Sequence, residues 1–260
     1  MREKGQRRWT REEFILVFNL YLQLPFGKLH SRTKEVIELA PIVGRTPSSV
    51  AFVLTAFAGV DEFHIKRGIS GTQGSQKQCK AIFDEFIDNR DELYFESERI
   101  LAERQHLTVE EKFEDVLKDL DLTGKQGEVR VREVKTRVNQ HLFRRIVLNN
   151  YSNTCAISGI NQNELLRASH IIPWSENEKE RLNPQNGLCL SSLYDAAFDK
   201  FLIAVDDNFK VVISPLLKKK ANEPFYESFF GKFENQQIRE HNKYEPNRDF
   251  LKWHFDKMKI

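Results

Sequence analysis

The sequence changes character near residue 153, and this change limits the fold more than any other feature. Before it, apolar residues recur at three- and four-residue spacing over long segments, which is typical of amphipathic helices. After it, short apolar runs are bounded by Asn, Gly, Pro and Asp, which is typical of strands and tight turns. We therefore expect an α+β protein with a mainly helical N-terminal half. The candidate linker LTGKQGE, residues 122–128, gives two predicted domains, 1–125 and 126–260.

Composition indicates a soluble, folded chain. The 260 residues are 40% hydrophobic and 30% charged, and no apolar run reaches the length of a membrane helix. The basic N-terminus lacks the apolar core of a signal peptide, so we expect a cytoplasmic protein without a membrane partner. No Cys-x-x-Cys pair exists, so we expect buried thiols and no structural zinc from the three cysteines, Cys79, Cys155 and Cys189.

The net charge of +2 hides a strongly uneven distribution along the chain. Residues 1–80 hold 13 Lys and Arg against 7 Asp and Glu, and residues 84–121 hold 5 against 14. Residues 124–145 then hold 7 against 2. Such blocks suggest faces that meet different partners, and the basic ones are candidates for contact with phosphate. Charge runs are also common on solvated faces.

The first segment predicts three short helices. Thr10 and Glu13 form a capping box for the first, and the second is expected from Ser31 to Leu39. The third follows a turn at Gly44, with Thr46 as N-cap and Pro47 at the first helical position. This outline fits either a helix-turn-helix or a plain three-helix bundle. In the first case three residues near the last helix's N-terminus face DNA: Arg45, Ser48 and Ser49.

The middle of the chain predicts further helices. Ser75 is expected to cap a helix or helical pair that reaches about Gln105, and Thr108 with Glu111 forms a second capping box. A long helix should then cover residues 128–151, with an apolar inner side and many arginines on the remaining surface. The candidate DNA contacts of this helix are Lys135, Arg137, Arg144 and Arg145.

The last part places a polar residue at each predicted junction. We expect NTCAISGI to be a strand and turn, LLRASHII a second strand ending at His170, and NPQNGLCLSSLYDAAFDKFL a turn and helix. Asn186 falls in the turn, and Asp195 and Asp199 lie four residues apart on one face of the helix. LIAVDDNFKVVIS predicts a hairpin.

These stretches resemble the HNH endonucleases, specifically a branch with the motif A-S-H-I-I-P-W, N-P-x-N-G-L-C-L and F-D-x-x-L. The matching segments are ASHIIPW at 168–174, LNPQNGLCLSSLYDAAFD at 182–199 and FLIAVD at 201–206. The resemblance implies a ββα-metal nuclease domain after the helical half. It also implies hydrolysis of phosphodiester bonds in double-stranded DNA.

The resemblance assigns roles to individual residues. His170 resembles the general base, and Asn186 resembles the residue that braces the loop aiming that base. Asp195 stands nine residues after Asn186, where the family has its third motif residue, and would ligate Mg²⁺ or Mn²⁺. Asp199 is a second possible ligand or a helix anchor. Arg167 could grip phosphate or be a solvated strand residue.

Two positions depart from the family pattern. Ser169 stands where many members carry a metal-binding Asp or His, and Tyr194 stands where relatives often have His. Ser169 would be a weaker ligand, completed by water and substrate phosphate. We expect a metal-dependent DNA endonuclease acting in restriction or phage defence. The alternative is a DNA-binding regulator whose HNH module is catalytically weak or inactive. Double-strand cutting would suit a homodimer.

Overall fold

The computed structural model describes residues 7–220 and 222–258. It confirms the α+β class, with thirteen α-helices and two small antiparallel sheets in the described residues. No single described helix is long and apolar enough to cross a bilayer; only the bent pair α2 and α3, bounded below, reaches the required length and composition. The helices are α1 (Arg11–Gln23), α2 (Lys34–Ile42), α3 (Pro47–Ala58), α4 (Glu62–Ile65), α5 (Gln76–Phe86), α6 (Arg90–Arg104), α7 (Val109–Lys112), α8 (Glu114–Leu117), α9 (Gly127–Asn150), α10 (Ser192–Asp199), α11 (Pro215–Lys220), α12 (Glu223–Phe229) and α13 (Arg248–Asp256). The strands are β1 (Leu166–His170), β2 (Gly187–Ser191), β3 (Ile203–Val205) and β4 (Val211–Ile213).

The chain divides into two compact units, Met1–Asn139 and Gln140–Ile260. The division falls inside α9, whereas the sequence placed a domain boundary between residues 125 and 126. The long helix itself was predicted correctly. The five apolar residues that give it its expected inner side are all buried: Val134, Val138, Leu142, Ile146 and Val147. The boundary between the two compact units therefore lies within this helix and not in the loop that precedes it.

Helix α1 forms the centre of the first unit. The capping box is present: the Thr10 hydroxyl accepts from the Glu13 backbone N–H at 3.3 Å, and the Thr10 N–H donates to the Glu13 carboxylate at 3.0 Å. Every residue from 13 to 22 is buried, mainly against α3, α5 and α6. Phe18 stacks on Phe57 with ring centroids 4.8 Å apart. Over residues 13–22 the helix is stabilised by burial on all sides, because no face of this part is left to water.

A buried ion pair closes this unit. Glu13 is fully buried, and its carboxylate lies 2.8 Å from the Arg45 guanidinium, whose side chain is only 7% exposed. Burial alone would raise the pKa of the Glu13 carboxyl, but hydrogen bonds from Arg45, the Thr10 backbone and Arg7 outweigh it and lower the pKa. Arg45 also donates to two backbone carbonyls and stacks over Trp9. The structure argues against the expected DNA contact by Arg45, since its side chain is buried and its two terminal nitrogens donate to groups inside the protein.

The packing around α3 favours the three-helix alternative over a DNA-reading helix. The chain bends by 108° between α2 and α3, which a helix-turn-helix would allow. However, the Gly-rich loop at 68–74 lies on the outer side of α3: the Thr72 hydroxyl donates to the Phe52 carbonyl at 2.8 Å. A Cβ on Gly71 would come within 2.4 Å of the Thr55 carbonyl, so only glycine permits this close approach. Ser48 and Ser49 remain at the accessible first turn.

The second helix and the helices of the middle of the chain differ in detail from their predicted bounds. The second helix begins at Lys34 rather than Ser31 and includes Pro41. Ser75 makes no side-chain cap, and the segment to Gln105 is a pair, α5 and α6. The capping box at Thr108 and Glu111 is confirmed, but the segment it opens breaks into α7 and α8.

The opposite charge blocks of the sequence meet inside the first unit. Lys135 on α9 lies 2.7 Å from carboxylate oxygens of both Asp91 and Glu92 at the start of α6. The Arg130 guanidinium pairs with Glu110, and its Nε lies 3.0 Å from that carboxylate. The expected DNA contact by Lys135 stays a prediction, and in this structure its ammonium group is paired with two carboxylates.

The second unit contains the strand, strand and helix order, but its first strand is not where the sequence suggested. NTCAISGI forms turns, and the segment GLCLS, taken as part of a turn, is β2. β1 and β2 pair antiparallel with His170 opposite Gly187, and α10 follows directly. β2 is buried at every position, so it lacks the polar alternation by which a half-exposed strand is recognised. The β3–β4 hairpin was predicted correctly.

Two close contacts position the sheet. A Cβ on Gly187 would lie 2.4 Å from Val147 and 3.0 Å from Phe143, so glycine allows β2 to approach α9. Near the C-terminal end of α10, the His254 ring stacks on the Phe198 ring, with centroids 3.6 Å apart. Burial lowers the pKa of His254 to about 4, so it is neutral at pH 7 and serves packing.

Replacing Arg45 with methionine should destabilise the first unit by about 3–5 kcal/mol, because the substitution leaves a buried carboxylate without its main partner. Urea unfolding measures the change. Lys34→Met is the matched control: the Lys34–Glu38 pair is exposed at both ends, so a change within about 0.5 kcal/mol is expected. Equal stabilities of the two variants would contradict a structural role for Arg45.

Candidate active site

The ends of β1 and α10 and the last turns of α9 meet around one small cavity. Its volume is about 340 Å³. It brings together three of the residues expected from sequence to act on DNA, Arg144, Arg167 and His170, with the candidate ligand Asp195. Gln140, Phe143, Ala168 and Trp174 complete the lining. The lining therefore combines two arginines, two aromatic residues and one carboxylate, that of Asp195.

His170 is held on three sides. Its ring lies parallel to the Phe143 ring, with centroids 4.3 Å apart, and meets the Trp174 ring edge-on at 5.6 Å. Its Nε2 lies 2.8 Å from the Arg181 carbonyl oxygen. A carbonyl can only accept a hydrogen bond, so Nε2 carries the proton and Nδ1 carries the lone pair. Burial lowers the pKa of His170 and outweighs the opposing effects of Arg181 and Asp195. The imidazole is thus a neutral base at pH 7.

Asn186 braces the loop that follows His170. Its side-chain amide donates to the carbonyls of Ile172 and Glu180, each at 3.1 Å, and its side-chain oxygen accepts from the Ile172 N–H at 2.8 Å. The residue is 1% exposed. These bonds join both ends of the loop to the start of β2, next to the Arg181 carbonyl that meets His170. This geometry agrees with the bracing role that the resemblance implied.

The residues present can hold a hard cation only in part. The Ser169 hydroxyl, 2% exposed, donates a hydrogen bond to the Asp195 carboxylate. Within the described residues no group of three His, Cys, Asp or Glu side chains could hold a metal ion. Mg²⁺ is commonly bound by one or two carboxylates together with water and substrate phosphate, and Asp195 in an open cavity suits that pattern. Ser169 is a partner of Asp195 more than a ligand in its own right.

Asp199 and Tyr194 lie apart from this cavity. Asp199 is at the exposed end of α10; desolvation by its neighbours, followed by the charge of Asp195, raises its pKa. Tyr194 is buried, donates to the Phe229 carbonyl at 2.6 Å and packs against Phe230 and Phe233. A metal ligand at position 194 would need a different side-chain direction, so the tyrosine takes a structural role.

Two arginines form the cationic wall. Arg144 donates to the carbonyls of Leu166 at 2.8 Å and Asn163 at 3.0 Å, and Arg167 donates to the Leu166 carbonyl at 2.7 Å. Neither has an ion pair with a carboxylate among the described residues. Burial and then the charge of Arg167 lower the pKa of Arg144. Two fixed cations that repel each other beside an open cavity favour an anion there.

The remaining expected DNA contacts lie outside the cavity lining. Arg137 and Arg145 are exposed on α9, and Ser48 and Ser49 belong to the first turn of α3. Sequence reasoning missed Phe143 and Arg181, which contact His170 directly. The apolar spacing of α9 marked Phe143 as a helix residue but not as a neighbour of His170, and no local pattern marks Arg181.

Comparison with known families agrees with this geometry. Residues 155–206 match the model of a family described as HNH endonuclease. This segment is an HNH endonuclease domain. It contains β1, β2, α10 and β3, and therefore Ser169, His170, Asn186 and Asp195. The comparison with curated proteins gives no match. At the level of the family, the match indicates a nuclease that acts on DNA, and HNH nucleases generally use divalent metal ions.

Replacing Asn186 with alanine should lower the free energy of unfolding by about 2–4 kcal/mol, because three buried backbone groups lose their partner. Chemical denaturation of the purified protein measures this. Gln185→Ala changes the exposed neighbour and should cost less than about 1 kcal/mol. A small effect at Asn186 would mean that water replaces its hydrogen bonds.

The pKa of His170 should lie below the usual 6.5 of histidine, because burial disfavours the imidazolium. An NMR pH titration measures this pKa. The imidazole signal of His170 is assigned as the one that is absent in His170→Gln. As pH falls through 6.5 the unfolded chain takes up the proton first, so folding stability decreases until the folded pKa is reached. A midpoint above 6.5 would contradict the burial argument.

Proposed function

We propose that the protein is a metal-dependent endonuclease that hydrolyses phosphodiester bonds in double-stranded DNA. The observation that carries this proposal is the state of His170. Its Nε2 is committed to the Arg181 carbonyl, so its Nδ1 lone pair is available beside two arginines and one carboxylate. An uncharged base, an anion site and a hard oxygen ligand are the three parts that this hydrolysis needs.

The proposed reaction begins with the phosphate group held by Arg144 and Arg167. His170 Nδ1 takes a proton from a water molecule, whose oxygen attacks phosphorus, and the bond from phosphorus to the leaving sugar oxygen breaks. That oxygen then takes a proton from solvent. A divalent cation held by Asp195, with Ser169 beside it, supplies charge neutralisation when bound. Asn186 does not touch the substrate; it keeps the loop and the base in place.

A second candidate is a DNA-binding protein whose HNH domain is catalytically weak. The specific observation in its favour is the Ser169 hydroxyl bonded to Asp195, where a second metal ligand would strengthen the site. Both candidates bind DNA through Arg144 and Arg167, so binding alone does not separate them. Cleavage does.

We further propose a role in restriction or phage defence. Its support is the architecture: a separate helical unit accompanies the HNH domain and is free of the residues proposed for cutting. The proposed outer DNA contacts are the exposed residues Ser48, Arg137 and Arg145 and the half-buried Ser49. If both strands are cut, a homodimer would place one domain on each strand.

Incubation of supercoiled plasmid with Mg²⁺ or Mn²⁺ tests the proposed reaction. Wild-type protein should nick or linearise the plasmid. His170→Ala should slow cleavage by about 100-fold or more, because it removes the base. Asp195→Asn should also lose cleavage, and EDTA should stop it. The products distinguish single-strand from double-strand cutting.

His106→Asn is the matched control, because this exposed histidine has φ of 59°, a conformation that asparagine tolerates. It should cleave like wild type. Plasmid binding without cleavage by any metal-loaded protein would reject the endonuclease and favour the weak-domain alternative. Equal cleavage by wild type and His170→Ala would reject His170 as the base.

A further inference from the structure

Arg181 contacts the surroundings of His170 through both its backbone and its side chain. The backbone carbonyl receives the hydrogen bond from His170 Nε2. The side chain turns the other way along the loop: Nε donates to the Trp174 carbonyl at 2.6 Å, and the guanidinium lies 5.1 Å from the centroid of the Trp174 ring. One residue thus bonds the imidazole and also holds an aromatic neighbour of that imidazole.

The loop needs such a contact because it has little regular structure. Between β1 and β2, the described elements include only one short 3₁₀ turn, at Pro184–Asn186. Asn186 ties this loop at Ile172 and Glu180, and the span between those points includes Trp174. The hydrogen bond from Arg181 to Trp174 closes that span. Without this hydrogen bond, the Arg181 side chain would no longer link residue 181 to the segment that carries Trp174.

We propose that Arg181 is a positioning residue for the reaction proposed above: its side chain fixes the loop so that its own carbonyl holds His170 in the tautomer with Nδ1 free. The expected effect of Arg181 on cleavage rests on the proposed function. Its expected effect on the His170 tautomer is independent of that function. The side chain is 26% exposed, and its ion pair with Glu178, at 3.2 Å, involves a carboxylate that is 82% exposed. That exposed pair contributes little, so the bond to Trp174 is the contact that matters.

Two substitutions of equal length separate this role from a simple positive charge. Glutamine places an N–H donor at the same position along the side chain as the arginine Nε, but it carries no charge. Methionine has similar length without a donor. Arg181→Gln should therefore keep the bond to the Trp174 carbonyl, whereas Arg181→Met should lose it.

The first measurement is the tautomer of His170, read from the ¹⁵N chemical shifts of its imidazole at pH 7.5. Wild type and Arg181→Gln should show the Nε2–H tautomer alone. Arg181→Met should show a mixture of both tautomers. This measurement needs no cleavage, so it remains decisive if the proposed function fails. Plasmid cleavage then tests the consequence: kcat should fall about 10- to 100-fold in Arg181→Met, with KM within about twofold, because misplacement of a catalytic group affects the chemical step.

Several results would overturn the proposal. If Gln and Met variants raise KM alike while the tautomer stays fixed, Arg181 contacts phosphate through its charge. If neither variant changes tautomer or kcat, the side chain is dispensable. Thermal unfolding checks that each variant folds. Should Arg181→Met fail to fold, Arg181→Lys replaces it: lysine keeps the charge and moves the donor beyond the ε position, so a mixed tautomer is expected and an unchanged one rejects the inference.

Discussion

The carboxamide of Asn186 is the contact on which the candidate active site depends. A loop of irregular backbone follows β1, and its buried N–H and C=O groups need partners because water does not reach them. Asn186 supplies three such bonds, to Ile172 and Glu180, and its own carbonyl accepts from the Ile171 N–H at 2.9 Å. The loop is therefore fixed to β2. The position of the Arg181 carbonyl, and with it the protonated nitrogen of His170, follows from this attachment.

The charges of the cavity favour phosphate more than a free cation. Arg144 and Arg167 are held by backbone carbonyls and form no ion pair with a carboxylate among the described residues. Asp195 is the one carboxylate that lines the same cavity, and it already accepts a hydrogen bond from Ser169. A phosphodiester would satisfy the arginines and add oxygen ligands beside Asp195. The weak metal-ligand set thus fits a site that is completed by its substrate.

Several charged side chains of the first unit pair with one another. The acidic block at 84–121 and the basic start of α9 lie in the same unit, and pairs such as Lys135 with Asp91 neutralise each other. Arg45 is likewise bonded to buried Glu13. Charge runs in the sequence therefore do not by themselves identify DNA contacts, because the fold pairs many of these charges. Arg144 and Arg167 differ in that their bonding partners are backbone carbonyls, which leave the charge of the guanidinium for a phosphate.

Local signals in the sequence determined the helices, the hairpin and the motif residues. The Thr10–Glu13 capping box and the apolar face of α9 depend on residues a few positions apart, so they could be recognised without a structure. The resemblance located His170, Asn186 and Asp195 for the same reason. Only the tertiary structure decided that GLCLS is a strand, that Phe143 and Arg181 enclose His170, and that Arg45 is buried. Those features depend on contacts between residues far apart in the chain, which no local spacing encodes.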